Sequence, residues 1–225
     1  VPCGLSGAIL NHEASVYALH ALAENHAWAV RFRPVTEPPI EGVRRLLLMI
    51  MLINLAFAGL QSNFPLYSRA RFGWDLAANA YFFGFVGLCA VVTQGLLLGW
   101  LRKHVSEARL VRIGMILMAS ALPLFGLAPQ DWMLYPLAAA IALGSSLCIP
   151  NLASMLTRSS EENMQGRIMG LQQIAINLAL AGGPLIAGVA YDRAGLPAPY
   201  LAGGLFALLA LLVGWRILWQ KQTIT

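Results

Sequence analysis

Apolar residues in this chain run in blocks of membrane length, not in the alternation of a strand or the single stripe of a surface helix. Six stretches contain no Asp, Glu, Lys, Arg or His: Leu46–Ser68, Leu76–Leu101, Ile113–Gln130, Trp132–Thr157, Ile168–Tyr191 and Ala194–Trp215. Every charged residue between Leu46 and Trp215 falls in a gap between them. Crossing a hydrocarbon core takes about 20 predominantly apolar residues per helix. The pattern predicts an all-α membrane protein, a bundle of six spans at about residues 46–68, 76–101, 110–130, 132–157, 166–191 and 196–218. Residues 1–45, which include Pro34, Pro38 and Pro39, are expected to form a cytoplasmic lead-in or linker, and 219–225 a cytoplasmic tail.

The few polar residues divide the spans into two kinds. In the first, Asn54, Phe57, Gln61 and Phe64 share one helical face. In the fourth, Gly144, Cys148, Asn151 and Ser154 do so, and in the fifth Gly166, Gly170, Gln173, Asn177, Ala181 and Gly188 form a stripe with Gln172 beside it. The second carries Thr93 and Gln94, whereas the third and sixth are nearly pure Leu, Ala, Ile, Met and Gly. An amide facing lipid is left without a partner, so these faces are expected to look into a cavity or onto another helix. On that basis the first, fourth and fifth spans, joined on weaker grounds by the second, line an interior. The third and sixth are expected to face lipid. A hydrogen bond across a helix contact would account for any single amide equally well. Pairs such as Gly95/Gly99 and Gly166/Gly170 allow helices to approach closely, and prolines at 65, 123, 136, 150 and 184 are compatible with membrane helices.

Composition narrows the function. Charged residues make up 11% of the chain against about 25% in soluble domains, a deficit that six buried soluble helices would not produce. The net charge of +5 is scattered at helix ends, so no nucleic-acid groove is expected. Twelve of the fifteen Lys and Arg fall on the side that holds both termini, which marks that side as cytoplasmic. His12, His20 and His26 do not share a helix face, and Cys3, Cys89 and Cys148 have no metal-ligand spacing, so neither a metal nor another cofactor is expected. No carboxylate or histidine lies within the spans, which leaves no proton relay and no base for catalysis there. An enzyme is therefore not expected. The first residues, Val1-Pro-Cys-Gly, lack the basic start of a signal peptide, and a start on Val is expected of a fragment or an alternative start codon.

Two segments resemble a known family. Gly99-Trp-Leu-Arg102-Lys103-His104, followed by Arg109-Leu-Val-Arg112-Ile-Gly114, is similar to the Gly-x-Leu-x-Asp-Arg-x-Gly-Arg-Arg loop of the major facilitator superfamily, in the degenerate form found in its C-terminal half. Lys103 replaces the motif's Asp, and its second Gly is missing. Pro150-Asn-Leu-Ala-Ser-Met-Leu-Thr-Arg158, Gln165-Gly166, Gly170 and Gly183-Pro184-Leu-Ile-Ala-Gly188 resemble helices ten and eleven of the drug/proton antiporters, notably the tetracycline-efflux branch. The resemblance covers about residues 44–218 and implies the C-terminal six-helix half of a twelve-helix transporter in a bacterial inner membrane. It implies efflux of a small molecule by alternating access, with an N-terminal six-helix half as partner and lipid around it. It further implies a substrate cavity formed by Asn54, Phe57, Gln61, Phe64, Asn151, Gln173 and Asn177. Gly99, Arg102, Lys103 and Arg109 would form a conformational loop, and Gly166, Gly170, Gly183, Pro184 and Gly188 would pack helices. The alternative is a truncated or split six-span subunit with a structural or regulatory role and no transport of its own.

Overall fold

The computed structural model describes residues 41–159 and 164–219. The lead-in through residue 40, with His12, His20 and His26, lies outside the described residues, as does the tail beyond 219. Six helices follow one another: α1 Glu41–Phe72, α2 Leu76–His104, α3 Glu107–Gly126, α4 Leu134–Arg158, α5 Gln165–Ala194 and α6 Ala198–Trp219. Each contains a stretch long and apolar enough to cross a membrane. A helix rises about 1.5 Å per residue, so the 32 residues of α1 extend past a hydrocarbon core of about 30 Å.

The connections are built from turn chemistry. Gly73, at φ 69°, ends α1 with its N–H donating to Arg69 O at 3.1 Å. Asp75 then caps α2, its side chain accepting from the Ala78 N–H at 2.8 Å. Gly195, at φ 82°, closes α5 in the same way as Gly73 closes α1. Within α2 the residues Thr93–Leu97 widen into one π turn, where the Thr93 hydroxyl donates to Cys89 O at 2.7 Å.

Helix packing separates four central helices from two peripheral ones. The apolar windows of α1, α3, α4 and α6 are 44–50% buried, against 17% for both α2 and α5. Polarity alone placed the third and sixth spans outside. The structure gives them two faces. Gly114, Met118 and Phe125 of α3 are buried in the bundle, while Ile113, Ile116 and Leu124 of the same helix point outward. Helix α6 likewise buries Ala207 and Ala210 and exposes Leu205 and Leu212.

Small residues set these contacts. At the α3–α4 crossing a Cβ on Gly114 would lie 2.6 Å from Gly144 O and 2.7 Å from Cys148 Sγ, and one on Gly144 would lie 2.7 Å from Gly114 O. Pro123 of α3 sits against Gly204 of α6, and Gly126 against Tyr200. At the α1–α5 crossing a Cβ on Gly183 would lie 2.7 Å from the Ala58 Cβ. At the end of the bundle opposite the start of α1 and the end of α6, the buried Tyr67 hydroxyl donates to the carbonyls of Phe125 and Gly126 at 3.1 and 3.3 Å, tying α1 to α3.

Replacing Gly114 with Val pushes α3 away from α4. It should destabilise the purified protein by about 1–3 kcal/mol, the usual range for overpacking, read as a lower melting temperature in detergent. Gly87→Ala, in open space, should leave that temperature unchanged or slightly raised.

Candidate functional site

Aromatic side chains gather where α1, α2, α3 and α4 meet. Phe64 stacks on Phe82 at 4.4 Å and meets Phe83 edge-on at 5.3 Å and Phe125 at 5.8 Å. Trp74 and Tyr135 extend the group, each edge-on to Phe82. Beside it lies a pocket of about 40 Å³, lined from α1 by Phe57, Leu60, Gln61 and Phe64, from α2 by Phe82, Phe83 and Val86, from α3 by Phe125, and from α4 by Ala138, Ile141 and Ala142. Gln61 is the one polar side chain among them. A space of this size takes a methyl-sized group or the edge of a ring. The amide of Gln61 can orient such a ligand by giving or accepting one hydrogen bond.

The structure brings together only some of the residues singled out from sequence. Phe57, Gln61 and Phe64 share the pocket. Asn54, two turns earlier on α1, is half-buried, and its amide donates to Ile50 O at 2.8 Å. Gln173 and Asn177 are exposed on α5 and bond to each other at 3.0 Å, away from the pocket. Asn151 is fully buried at the other end of the bundle, with its Nδ2 donating to Leu147 O at 2.7 Å. Its Oδ1 accepts from Arg102 Nε at 2.9 Å, so its contact is with the last turn of α2 and not with the pocket.

That contact belongs to a polar cluster around the loop. Ser154 of α4 donates to Glu107 Oε1 at 2.9 Å, and Arg158 lies 3.5 Å from the same oxygen. The Arg158 side chain is 76% exposed, so this pair adds little stability, but it fixes where the start of α3 meets the end of α4. Lys103 and Arg109 are exposed, and Gly99 has open space around it. Of the glycines expected to pack helices, Gly183 does so against α1, whereas Gly166, Gly170 and Gly188 have no neighbour within 4 Å of a built Cβ, and Pro184 is exposed. Sequence reasoning did not single out Phe82, Phe83 or Phe125. Their common signal was a concentration of aromatic residues at one end of three different spans.

Residues 94–223 match the family model of the Major Facilitator Superfamily. The chain is 26% identical over 191 residues to the class G tetracycline resistance protein of Vibrio anguillarum, covering 80% of this chain and 48% of that protein. It is 29% identical over 121 residues to the class D tetracycline resistance protein of Salmonella ordonez, covering 54% of this chain and 30% of that protein. Its fold superposes on the crystal structure of the human organic anion transporter MFSD10 (TETRAN) with a TM-score of 0.70 at 23% identity, covering 79% of this chain and 42% of that one. The chain thus spans less than half the length of each of these proteins.

Replacing Asn151 with Ala removes the acceptor that holds Arg102. The expected cost is about 1–2 kcal/mol, at the low end for a charge-assisted bond because the arginine stays in contact with water. A cysteine introduced at Lys103 should then react faster with a membrane-impermeant maleimide than in the parent protein. Unchanged reactivity would mean that Asn151 does not position the loop.

Proposed function

The chain belongs to the Major Facilitator Superfamily, and from that premise we propose that it is the C-terminal six-helix half of an efflux transporter of the drug/proton-antiporter type. Its match to a transporter family supports transport as its role. The observation that carries the proposal is the bareness of α2 and α5. Both are apolar over membrane length, yet only 17% of each apolar window is covered. A second six-helix half, in the same polypeptide or a separate one, would cover them and close a cavity over Gln61 and Phe57. The two halves would rock around a midplane site, opening it to each side in turn. The alternative of a structural or regulatory subunit has no comparable support.

Within that cavity Gln61 supplies a hydrogen bond and Phe57 and Phe64 supply apolar walls. Asn54, Gln173 and Asn177 add neutral polar groups if the second half brings α1 and α5 onto one aqueous space. Asn151 and Arg102, with Lys103, Arg109 and Gly99 around them, act at the loop. No carboxylate lies in the spans of this chain, so the proton-coupling group would lie in the other half. The excess of Lys and Arg at the end where α1 begins and α6 ends supports a cytoplasmic position for that end in a bacterial inner membrane.

Gln61→Ala and Asn54→Ala, made in the chain assembled with its N-terminal half, should change the relative efflux of a panel of drugs by about tenfold or less for each amide lost. Identical efflux of every compound would remove both amides from the site. The chain expressed without a complementary half should give no saturable efflux at all, and efflux from the chain by itself would overturn the half-transporter proposal.

A further inference from the structure

Several arginines of the described residues are met by an oxygen from the protein. Arg71 Nε donates to Ala128 O at 3.0 Å, Arg102 Nε to Asn151 Oδ1 at 2.9 Å, and Arg158 lies 3.5 Å from Glu107. Arg112 is held differently. Its guanidinium carbon sits 4.6 Å from the centre of the Trp219 ring, and Trp219 is stacked on Trp215 with centroids 3.9 Å apart and planes 16° from parallel. Arg112 is half-buried and has no oxygen acceptor among the described residues. Arg109 lies one turn earlier on the same side of α3, exposed and also without an acceptor there. Glu107, the carboxylate nearest in sequence, is already engaged by Ser154 and Arg158. The other carboxylates whose side chains are described, Asp75, Asp131 and Asp192, lie at the opposite end of the bundle.

Stacking on a ring fixes a guanidinium without using its N–H groups, which point outward in its own plane. Two cations one turn apart therefore hold a set of donors with no acceptor among the described residues, next to a tryptophan pair whose residues are 49% and 40% exposed. In a membrane helix, exposed tryptophans mark the level of the lipid headgroups. A basic pocket between helix ends at that depth suits a negatively charged headgroup.

We propose that Arg109, Arg112, Trp215 and Trp219 form a binding site for the phosphodiester headgroup of an anionic phospholipid, at the junction of α3 and α6. The arginines pair with the phosphate, and the Trp215–Trp219 stack provides the apolar wall along which the glycerol and the upper acyl chain lie. That wall is what favours a lipid over free phosphate, which shares the anion chemistry but has no apolar part. The site lies on the face formed by α3 and α6, so it does not depend on the transport proposal.

The test uses the full chain in nanodiscs of phosphatidylcholine, with and without phosphatidylglycerol. Phosphatidylglycerol should raise the melting temperature, and Arg109→Gln/Arg112→Gln should remove that increment while keeping the temperature found in phosphatidylcholine. Each arginine is expected to contribute about fivefold to the preference for the anionic lipid. Brominated phosphatidylglycerol should quench tryptophan emission more strongly than brominated phosphatidylcholine at equal content. Trp215→Phe/Trp219→Phe should abolish that difference. This second measurement decides the matter if the double arginine variant does not fold. Equal quenching by the two lipids, or a full increment in the arginine variant, would overturn the proposal. An equal increment from inorganic phosphate added to phosphatidylcholine discs would overturn it too, making the site one for soluble anions.

Discussion

Close approach of helix backbones at glycine is the constraint on which this structure rests. Inside a bilayer, burial of apolar surface does not draw helices together, because lipid is as apolar as a neighbouring helix. Contact between well-fitted surfaces must do so. Gly114 against Gly144 brings α3 onto α4, Gly204 and Gly126 bring α6 onto α3, and Gly183 brings α5 onto Ala58 and Gly59 of α1. Each crossing places backbone where a side chain would otherwise stand. The aromatic pocket exists because α1, α3 and α4 are already fixed relative to one another by these crossings and by the Tyr67 hydrogen bonds to α3. The loop cluster at the other end depends on the same α3–α4 crossing, which carries Glu107 to Ser154 and Arg158.

The two ends of the bundle differ in character accordingly. One end is aromatic at its core, built from Phe64, Phe82, Phe125 and Tyr135 around a small pocket, with Arg69, Arg71, Asp75, Asp131, Asp192 and Arg193 confined to its turns and helix ends. The other is ionic, with Arg102 anchored on Asn151 and Arg112 laid on Trp219. Between them α2 passes through its π turn, where Gln94 reaches Ser146 of α4 at 3.3 Å.

The six spans were legible because charge is excluded from hydrocarbon, and that rule needs no knowledge of neighbours. The family resemblance was legible from the Gly99–Gly114 loop and the Pro150–Arg158 segment. Which way each span faces was not fully legible. The bare third and sixth spans looked lipid-facing, yet a packed interior and lipid call for the same apolar side chains, so polarity cannot separate them. Asn151 fell in a polar stripe, and nothing in α4 itself revealed that Arg102, 49 residues earlier, takes up its oxygen. Gly166, Gly170 and Gly188 formed a regular small stripe without a helix opposite them among the described residues, while Gly126 and Gly204 made crossings that no local pattern announced. Periodicity reports which residues share a face. It does not report what that face meets.

The central claim is that α2 and α5 carry the faces that a second six-helix bundle covers, while α3 and α6 keep theirs toward lipid. Spin labels at Leu88 of α2, Leu185 of α5, Ile116 of α3 and Leu205 of α6 sample the four exposed faces. Their accessibility to oxygen, which dissolves in the bilayer, should be high at all four when the chain is reconstituted by itself. With an N-terminal six-helix half present, accessibility should fall at Leu88 and Leu185 and stay high at Ile116 and Leu205. Unchanged accessibility at Leu88 and Leu185, once the two halves copurify, would contradict the account.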